Sequence, residues 1–504
     1  LSVHDDIGEL IFEMGCTDNL LELAKKHPTD AEVQAAAAGA LRNLAANDKH
    51  KQAIADKEGV ELLLHAAKAH REHAGVCAQV AGALRNISLS DDIAKQVARE
   101  GGVAELVAVS SQHVDNPKIQ AGVAGALRNL SVNDEIAEQI ASAGGVEALV
   151  VAAQTHPTNA DVQSEVAGSL WGLTVNDAIT RKIAAATGTA TTNDGQGVAI
   201  LVAAAKNHLN NLKVIARVAG ALRKLSELEE NKKEVAETGG VETLVKAAEV
   251  HLDNGIVQAA VAGVLSNLSV DDEIEKQIAS IQGIECLING AKAHLTNAKV
   301  QGRVMRALTN LSVHDANKER IASTLGIATL IQSAAAHPDA PEVQAGVAAA
   351  LRNLSINSKI AETIAQTDNA VSSLVTAAKK HPKSAIVQAG VAGALRNLSA
   401  NEGSKKTILD AGAVAVLDAA AAEHPENEKL QTELAGARKN LVGVESAPGP
   451  ASAAKKGKKK LKLPAAPDVS DASGDVPLSQ RKNSSENKKE KKSLFGGLSR
   501  KKKK

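Results

Sequence analysis

The stretch Val33–Leu44 (VQAAAAGALRNL) constrains this chain more than any other, because it returns nine more times. Its Leu-Arg-Asn-Leu core starts at Leu41, Leu84, Leu127, Leu170, Leu222, Leu265, Leu308, Leu351 and Leu395, and in degraded form at Arg438. The steps are 43, 43, 43, 52, 43, 43, 43, 44 and 43 residues. A fixed period of this length belongs to stacked helical units rather than to one globular core. Placed on a helix, Val33, Ala37, Ala40, Leu41 and Leu44 share one face, at the spacing of a buried stripe. Arg42 and Asn43 fall opposite, near Ala35, Ala38 and Gly39. Small neighbours are expected to leave the Arg and Asn heads uncovered, so that stacking turns them into two ladders on one surface.

Each unit reads as three helices. From Asp134, the residues Ile136, Ile140 and Ala141 space a short first helix, which Gly144-Gly145 ends. A second helix from Val146 to about His156 buries Val146, Leu149, Val150 and Ala153. Pro157 blocks its continuation, and Ala160 begins the third helix, which carries the next Leu-Trp-Gly-Leu. Ten such units cover residues 4–444. Leu1 lies one period before Leu44, so residues 1–3 read as the end of a preceding repeat and the chain as a fragment. A nine-residue insertion, rich in Gly and Thr, interrupts the period near 187–197 and predicts a loop. After Val444 the periodicity ends, and residues 445–504 read as a disordered Lys-rich tail.

Three helices per 43 or so residues, Gly-Gly before the second, and Leu-Arg-Asn-Leu-Ser ending the third resemble the armadillo repeat of β-catenin, importin-α and the yeast vacuolar armadillo protein. The resemblance implies an all-α, right-handed superhelical solenoid whose third helices line a concave, peptide-binding groove. HEAT repeats have two helices per unit, and the Gly-Gly break argues against them. In armadillo proteins the Asn matching Asn43, Asn86, Asn129, Asn267, Asn310, Asn353, Asn397 and Asn440 bonds the backbone of an extended ligand. With helices about 8–10 Å apart and an extended peptide advancing about 3.3 Å per residue, one Asn meets roughly every third ligand residue. The ladder breaks at Gly172 and Lys224, which suggests two sub-sites.

Arg42, Arg85, Arg128, Arg223, Arg352 and Arg396 form the second ladder, with Ser266 and Thr309 intervening. A guanidinium grips carboxylate or phosphate bidentately, so the expected partners are extended, acidic or phosphorylated protein segments. The alternative is a solvated face, or ion pairs between adjacent units. Trp171 takes the Arg position of its repeat, where it would serve a partner or pack beneath the inserted loop. An importin-type groove would want Trp one turn before each Asn, where this chain has mostly Gly; a nuclear-transport adaptor is therefore the alternative function. A third is the regulatory part of a larger enzyme.

Ten histidines, from His27 to His424, recur in one slot at the end of the second helix. Single rungs on separate units make a poor metal cage, and a helix-end role is expected instead. No P-loop, GxSxG or HExxH appears, and the repeated Glu and Asp are expected on exposed faces; no catalytic residue, metal or cofactor is assigned. Cys16, Cys77 and Cys286 are scattered and form no CxxC pair, which points to a reducing compartment.

The formal charge of zero hides an asymmetry. Residues 445–504 carry 17 Lys and Arg against 6 Asp and Glu, a net of +11, and leave residues 1–444 with 41 against 52, a net of −11. The tail contains Lys455, Lys456, Lys458, Lys459, Lys460 and Lys462, and ends on Lys501, Lys502, Lys503 and Lys504. Such blocks suit anionic membrane, the nuclear import machinery or the chain's own acidic solenoid, and would hold nucleic acid only without sequence specificity. The sequence reads as a non-enzymatic interaction scaffold or adaptor. Its expected location is the cytoplasm, with the nucleus or a membrane surface as alternatives.

Overall fold

The computed structural model describes residues 12–186 and 197–442. Residues 1–3, nearly all of the insertion and the whole Lys-rich tail lie outside the described residues. Among those described there are 29 helices and no strand, in an armadillo arrangement of three helices per repeat. First helices run nine residues, second helices 11 and third helices 14, with 15 in the last. Asp134–Ser142, Gly145–Thr155 and Ala160–Leu173 make one such set, as the spacing of apolar residues predicts. The chain forms two compact units, one through Gly240 and the other from Val241 on.

The Gly-Gly pair turns out to hold two different constraints. Its first member takes a left-handed backbone, as at Gly101 (φ 81°) and Gly144 (φ 82°). The same turn is made at Glu58, Gln282, Leu325 and Asn369, each with φ of 61–64°, at a steric cost of about 1 kcal/mol or more. The second member is limited by space: a Cβ on Gly326 would sit 2.5 Å from the Ile321 carbonyl oxygen. The first glycine eases a turn; the second lets the second helix close on the first.

Within each repeat a glutamine ties the third helix to the second. Gln163 Nε2 donates to the carbonyls of Ala153 (2.7 Å) and His156 (2.9 Å), two of the orphan acceptors at the second helix's C-terminus. Gln34, Gln120, Gln258, Gln301, Gln344, Gln388 and Gln431 do the same in their repeats. Cys77 holds that slot in one repeat, where burial pushes its thiol up to about 11.

The recurrent histidine acts between repeats. Nε2 of His156 donates to the Val114 carbonyl at 2.7 Å, and Val114 follows the histidine of the preceding repeat. His70, His113, His208, His294, His337, His381 and His424 make the same bond at 2.7–3.0 Å. The bond fixes the Nε2–H tautomer.

Leu325 and Gly326 give a test. Leu325→Gly removes an exposed side chain from a left-handed position and should stabilise its repeat by about 1 kcal/mol. Gly326→Ala should destabilise it by about 1–3 kcal/mol. Amide exchange in Gly326–Ala336 reads both, slower in the first variant and faster in the second.

Candidate functional site

The third helices carry both predicted ladders, but they are far more enclosed than a single helical wheel suggests. Every residue from Ile119 to Leu130 is buried, as is every residue from Val257 to Leu268. The Asn heads are therefore not a row of open donors. Asn86 Nδ2 donates to the Arg42 carbonyl (2.8 Å), Asn129 to Arg85 (2.6 Å), Asn310 to Ser266 (3.2 Å), Asn353 to Thr309 (3.0 Å), Asn397 to Arg352 (3.0 Å) and Asn440 to Arg396 (3.0 Å). Each acceptor is the residue at the Arg position one repeat earlier. Asn129, Asn267, Asn310 and Asn353 are buried, whereas Asn43, Asn86 and Asn397 are half-buried. The expectation of exposed amides is corrected: one N–H of each of these six is spent on stitching third helices together.

The Arg heads are not upright either. A Cβ on Gly82 would meet Arg42 Cδ at 2.6 Å, and one on Gly125 would meet Arg85 Cδ at 2.6 Å. The same holds for Gly168 under Arg128 (2.8 Å), Gly393 under Arg352 Nε (2.3 Å) and Gly436 under Arg396 Nε (2.7 Å). Each arginine lies flat across the glycine of the next third helix. Trp171 does likewise, its ring against Gly220, where an added Cβ would stand 2.8 Å away. Where the preceding repeat carries Ser266 or Thr309, the glycine gives way to Arg306 or Ala349.

What the arginines reach decides the electrostatics. Arg85 crosses one repeat and meets Glu165 in the next, Nη2 to Oε1 at 2.8 Å. Lys213 Nζ reaches the same Oε1 at 3.0 Å, while Arg217 Nη1 (2.9 Å) and Arg128 Nε (3.3 Å) face Oε2. Arg217 Nη1 also donates to the Ser164 carbonyl and hydroxyl. Glu165 is fully buried, and Arg128 and Arg217 are only 5 % and 3 % exposed; Arg85 and Lys213 form the rim at 34 % and 30 %. Burial alone would push the Glu165 carboxyl up, but the four cations outweigh it and hold it at about 2. Burial brings the Arg128 guanidinium down to about 10, against the pull of Glu165.

The second unit has a smaller counterpart. Glu433 accepts from Arg352 Nη2 at 2.7 Å and from Arg396 Nη1 at 3.0 Å, again with one repeat crossed between Arg352 and its carboxylate. Arg42 meets Gln79 at 3.3 Å, and Arg223 pairs with Glu227 one turn on. Glu165, Lys213, Arg217 and Glu433 were not picked out by the sequence, and the expectation that acidic residues lie on exposed faces fails at Glu165. The available signal was a Glu, two repeats after an Arg, in a rung that is otherwise Ala36, Gln79, Gly122, Arg217, Ala260, Arg303, Gly346 and Gly390. All the tail lysines named above, from Lys455 to Lys504, lie outside the described residues.

The family model for kinesin-associated protein (KAP) matches residues 192–444, half of the chain. The chain belongs to the KAP family. The repeats before residue 192 follow the same three-helix plan. Among solved structures, the KAP-family chain is similar to one from a study of a phosphorylation switch that controls the interaction between cadherin and β-catenin. The two are 19 % identical with a TM-score of 0.71, over 88 % of this chain and 87 % of that one, a likeness of armadillo fold. No curated protein matches the chain. The family and the fold are those of a protein-interaction scaffold.

Two outcomes follow from this geometry. Gly393→Ala should destabilise the chain while Arg352 is present, because the added methyl lifts Arg352 off its path to Glu433. In an Arg352→Ala background the same change should stabilise by up to about 1 kcal/mol, the ordinary helix preference for Ala over Gly. Thermal melts of the four proteins would show that reversal of sign. For Glu165, a folded pKa below the ordinary 4.5 means stability present above pH 4.5 and lost as pH falls toward 2. At ~1.4 kcal/mol per pH unit this is worth about 3 kcal/mol. Glu165→Gln should flatten that acid limb and lower stability at neutral pH, by leaving Arg128 and Arg217 buried without a counter-charge.

Proposed function

We infer that this KAP-family chain is a non-enzymatic adaptor that holds extended acidic segments of partner proteins along the third helices of each unit. The family's name makes kinesin the assembly it would join. One observation carries the choice of ligand. The five third helices of the first unit contain eight basic and three acidic residues, a net of +5, and so do the five of the second. The rest of residues 1–444 holds 25 basic and 46 acidic residues. In an acidic solenoid, the layer that armadillo proteins offer to ligands is thus net positive because it holds few acidic residues, and there an anionic segment gains attraction and a cationic one is repelled.

Affinity on this reading comes from charge and shape distributed over several repeats, since six of the eight ladder asparagines already bond the neighbouring backbone. The unit boundary leaves Asn43, Asn86 and Asn129 in the first unit and Asn267, Asn310, Asn353, Asn397 and Asn440 in the second, consistent with two sub-sites. The glycines that stand where an importin-type groove wants Trp are covered by arginines in both units, which disfavours lysine-rich cargo.

An oligoglutamate of about a dozen residues, long enough to cross several repeats at ~3.3 Å per residue, should bind the full chain and weaken as salt is raised. Oligolysine of the same length should not bind this layer. Arg42→Glu and Arg396→Ala, both at exposed rims, should each weaken oligoglutamate. If neither variant changes its binding, the Lys-rich tail is the receptor and the reading fails. Capture of purified kinesin by the full chain tests the partner separately.

A further inference from the structure

We propose that Arg85, Arg128, Lys213 and Arg217 around Glu165 form a subsite for one phosphorylated side chain of a partner segment lying on the third helices of the first unit. The proposal rests on the reading that this layer receives partner segments, and names one residue type within them. Its first support is charge. Four cations meet one carboxylate within 2.8–3.3 Å, while Asp161, the other anion that acts on Arg217, is exposed in the first turn of the same helix. The cluster therefore keeps a surplus of positive charge in a place where Arg128 and Arg217 have little water. The Glu433 cluster brings only two arginines to its carboxylate, which is itself 20 % exposed, and carries no comparable surplus.

Geometry is the second support. Glu165, Arg128 and Arg217 are buried, while Arg85 and Lys213 are 34 % and 30 % exposed, so the cluster reaches solvent through these two cations. Nε of the buried Arg217 has no hydrogen-bond partner among the described residues. Arg85 arrives across Gly125, and Arg128 and Arg217 both lie over Gly168, so guanidinium groups from three of four successive third helices converge on Glu165. A phosphate near its dianionic form offers two charges and several acceptor oxygens to such a set, whereas a carboxylate offers one charge and is already present as Glu165. Trp171 follows Gly168 by one turn and rests on Gly220, one turn after Arg217, so it borders the cluster.

The test uses Trp171, the only tryptophan in the sequence. N-acetyl phosphoserine amide is titrated into the full chain, with Trp171 emission and calorimetric heat followed together. Saturable binding is expected, at least about tenfold tighter than that of N-acetyl glutamate amide. Arg85→Ala/Lys213→Ala should lose about tenfold or more in phosphoserine affinity with its melting temperature kept, and Lys213→Arg should retain the binding. If the double variant melts early, Lys213→Gln at its 30 % exposed position provides the same comparison. Equal affinity for glutamate, unchanged affinity in the variants, or no saturable change would overturn the subsite. Oligoglutamate run alongside separates the two ideas: if it binds and phosphoserine shows no preference, only the subsite falls. If neither binds, the reading it rests on falls with it.

Discussion

The structure depends first on the hydrogen bond that Asn86, Asn129, Asn310, Asn353, Asn397 and Asn440 each give to the backbone of the repeat before. The bond spans 44 or 45 residues and lands on the carbonyl at the Arg position. At the other end of the repeat, the second-helix histidine makes a matching bond back over 42, 43 or, across the insertion, 51 residues. Apolar stripes of Ala, Leu and Val can slide by a turn with little change in buried area, because their side chains are alike. Interfaces that hold both polar bonds cannot, since a slip leaves an amide and a carbonyl unpaired, at about 1–3 kcal/mol for each that is buried. Burial supplies the cohesion of the stack; these bonds fix its register.

A second constraint is laid on the first. Neighbouring third helices lie so close that an arginine at the Arg position has no room to stand upright and lies over the next helix, as Arg128 does over Gly168 even where Gly172 replaces the ladder asparagine. That helix must then lack a side chain at the crossing, which is why glycine recurs inside a helix despite costing about 1 kcal/mol there relative to alanine. Arg306 and Ala349 show that the glycine follows the arginine: both come after repeats that have Ser266 or Thr309 in its place. A crossing arginine needs a destination as well, and Glu165 and Glu433 provide one two repeats further on.

Much of the fold could be read from period and punctuation. The three-helix unit, the breaks at Gly144-Gly145 and Pro157, and the helix-end role of the histidines all follow from residue types at fixed offsets. The enclosure of the Asn and Arg heads does not, because a helical wheel sorts the residues of one helix into inside and outside. Here the enclosing atoms belong to the repeats above and below. Glu165 was hidden for a related reason. Within its own repeat it looks like one more surface carboxylate, and only its place two repeats after Arg85, with Gly125 between, marks it as the end of a buried path. The two roles of the Gly-Gly pair were likewise merged, since sequence alone does not separate a left-handed turn from a close approach.

Charge segregation is the link from packing to function. The acidic excess lies in the first and second helices and in the segments between helices; the third helices can take little charge, because most of their surface is buried. What charge they hold must be able to lie flat, cross a glycine and keep a polar head near water, and the long aliphatic stem of arginine meets all three conditions. Aspartate and glutamate are too short to cross, so they appear in this layer where a crossing ends or at a helix start. The basic character of the third-helix layer therefore follows from packing before any partner is considered. On the proposed reading, a partner would enter an environment whose sign is already set, and specificity would rest on where arginines outnumber the carboxylates that receive them, as they do around Glu165.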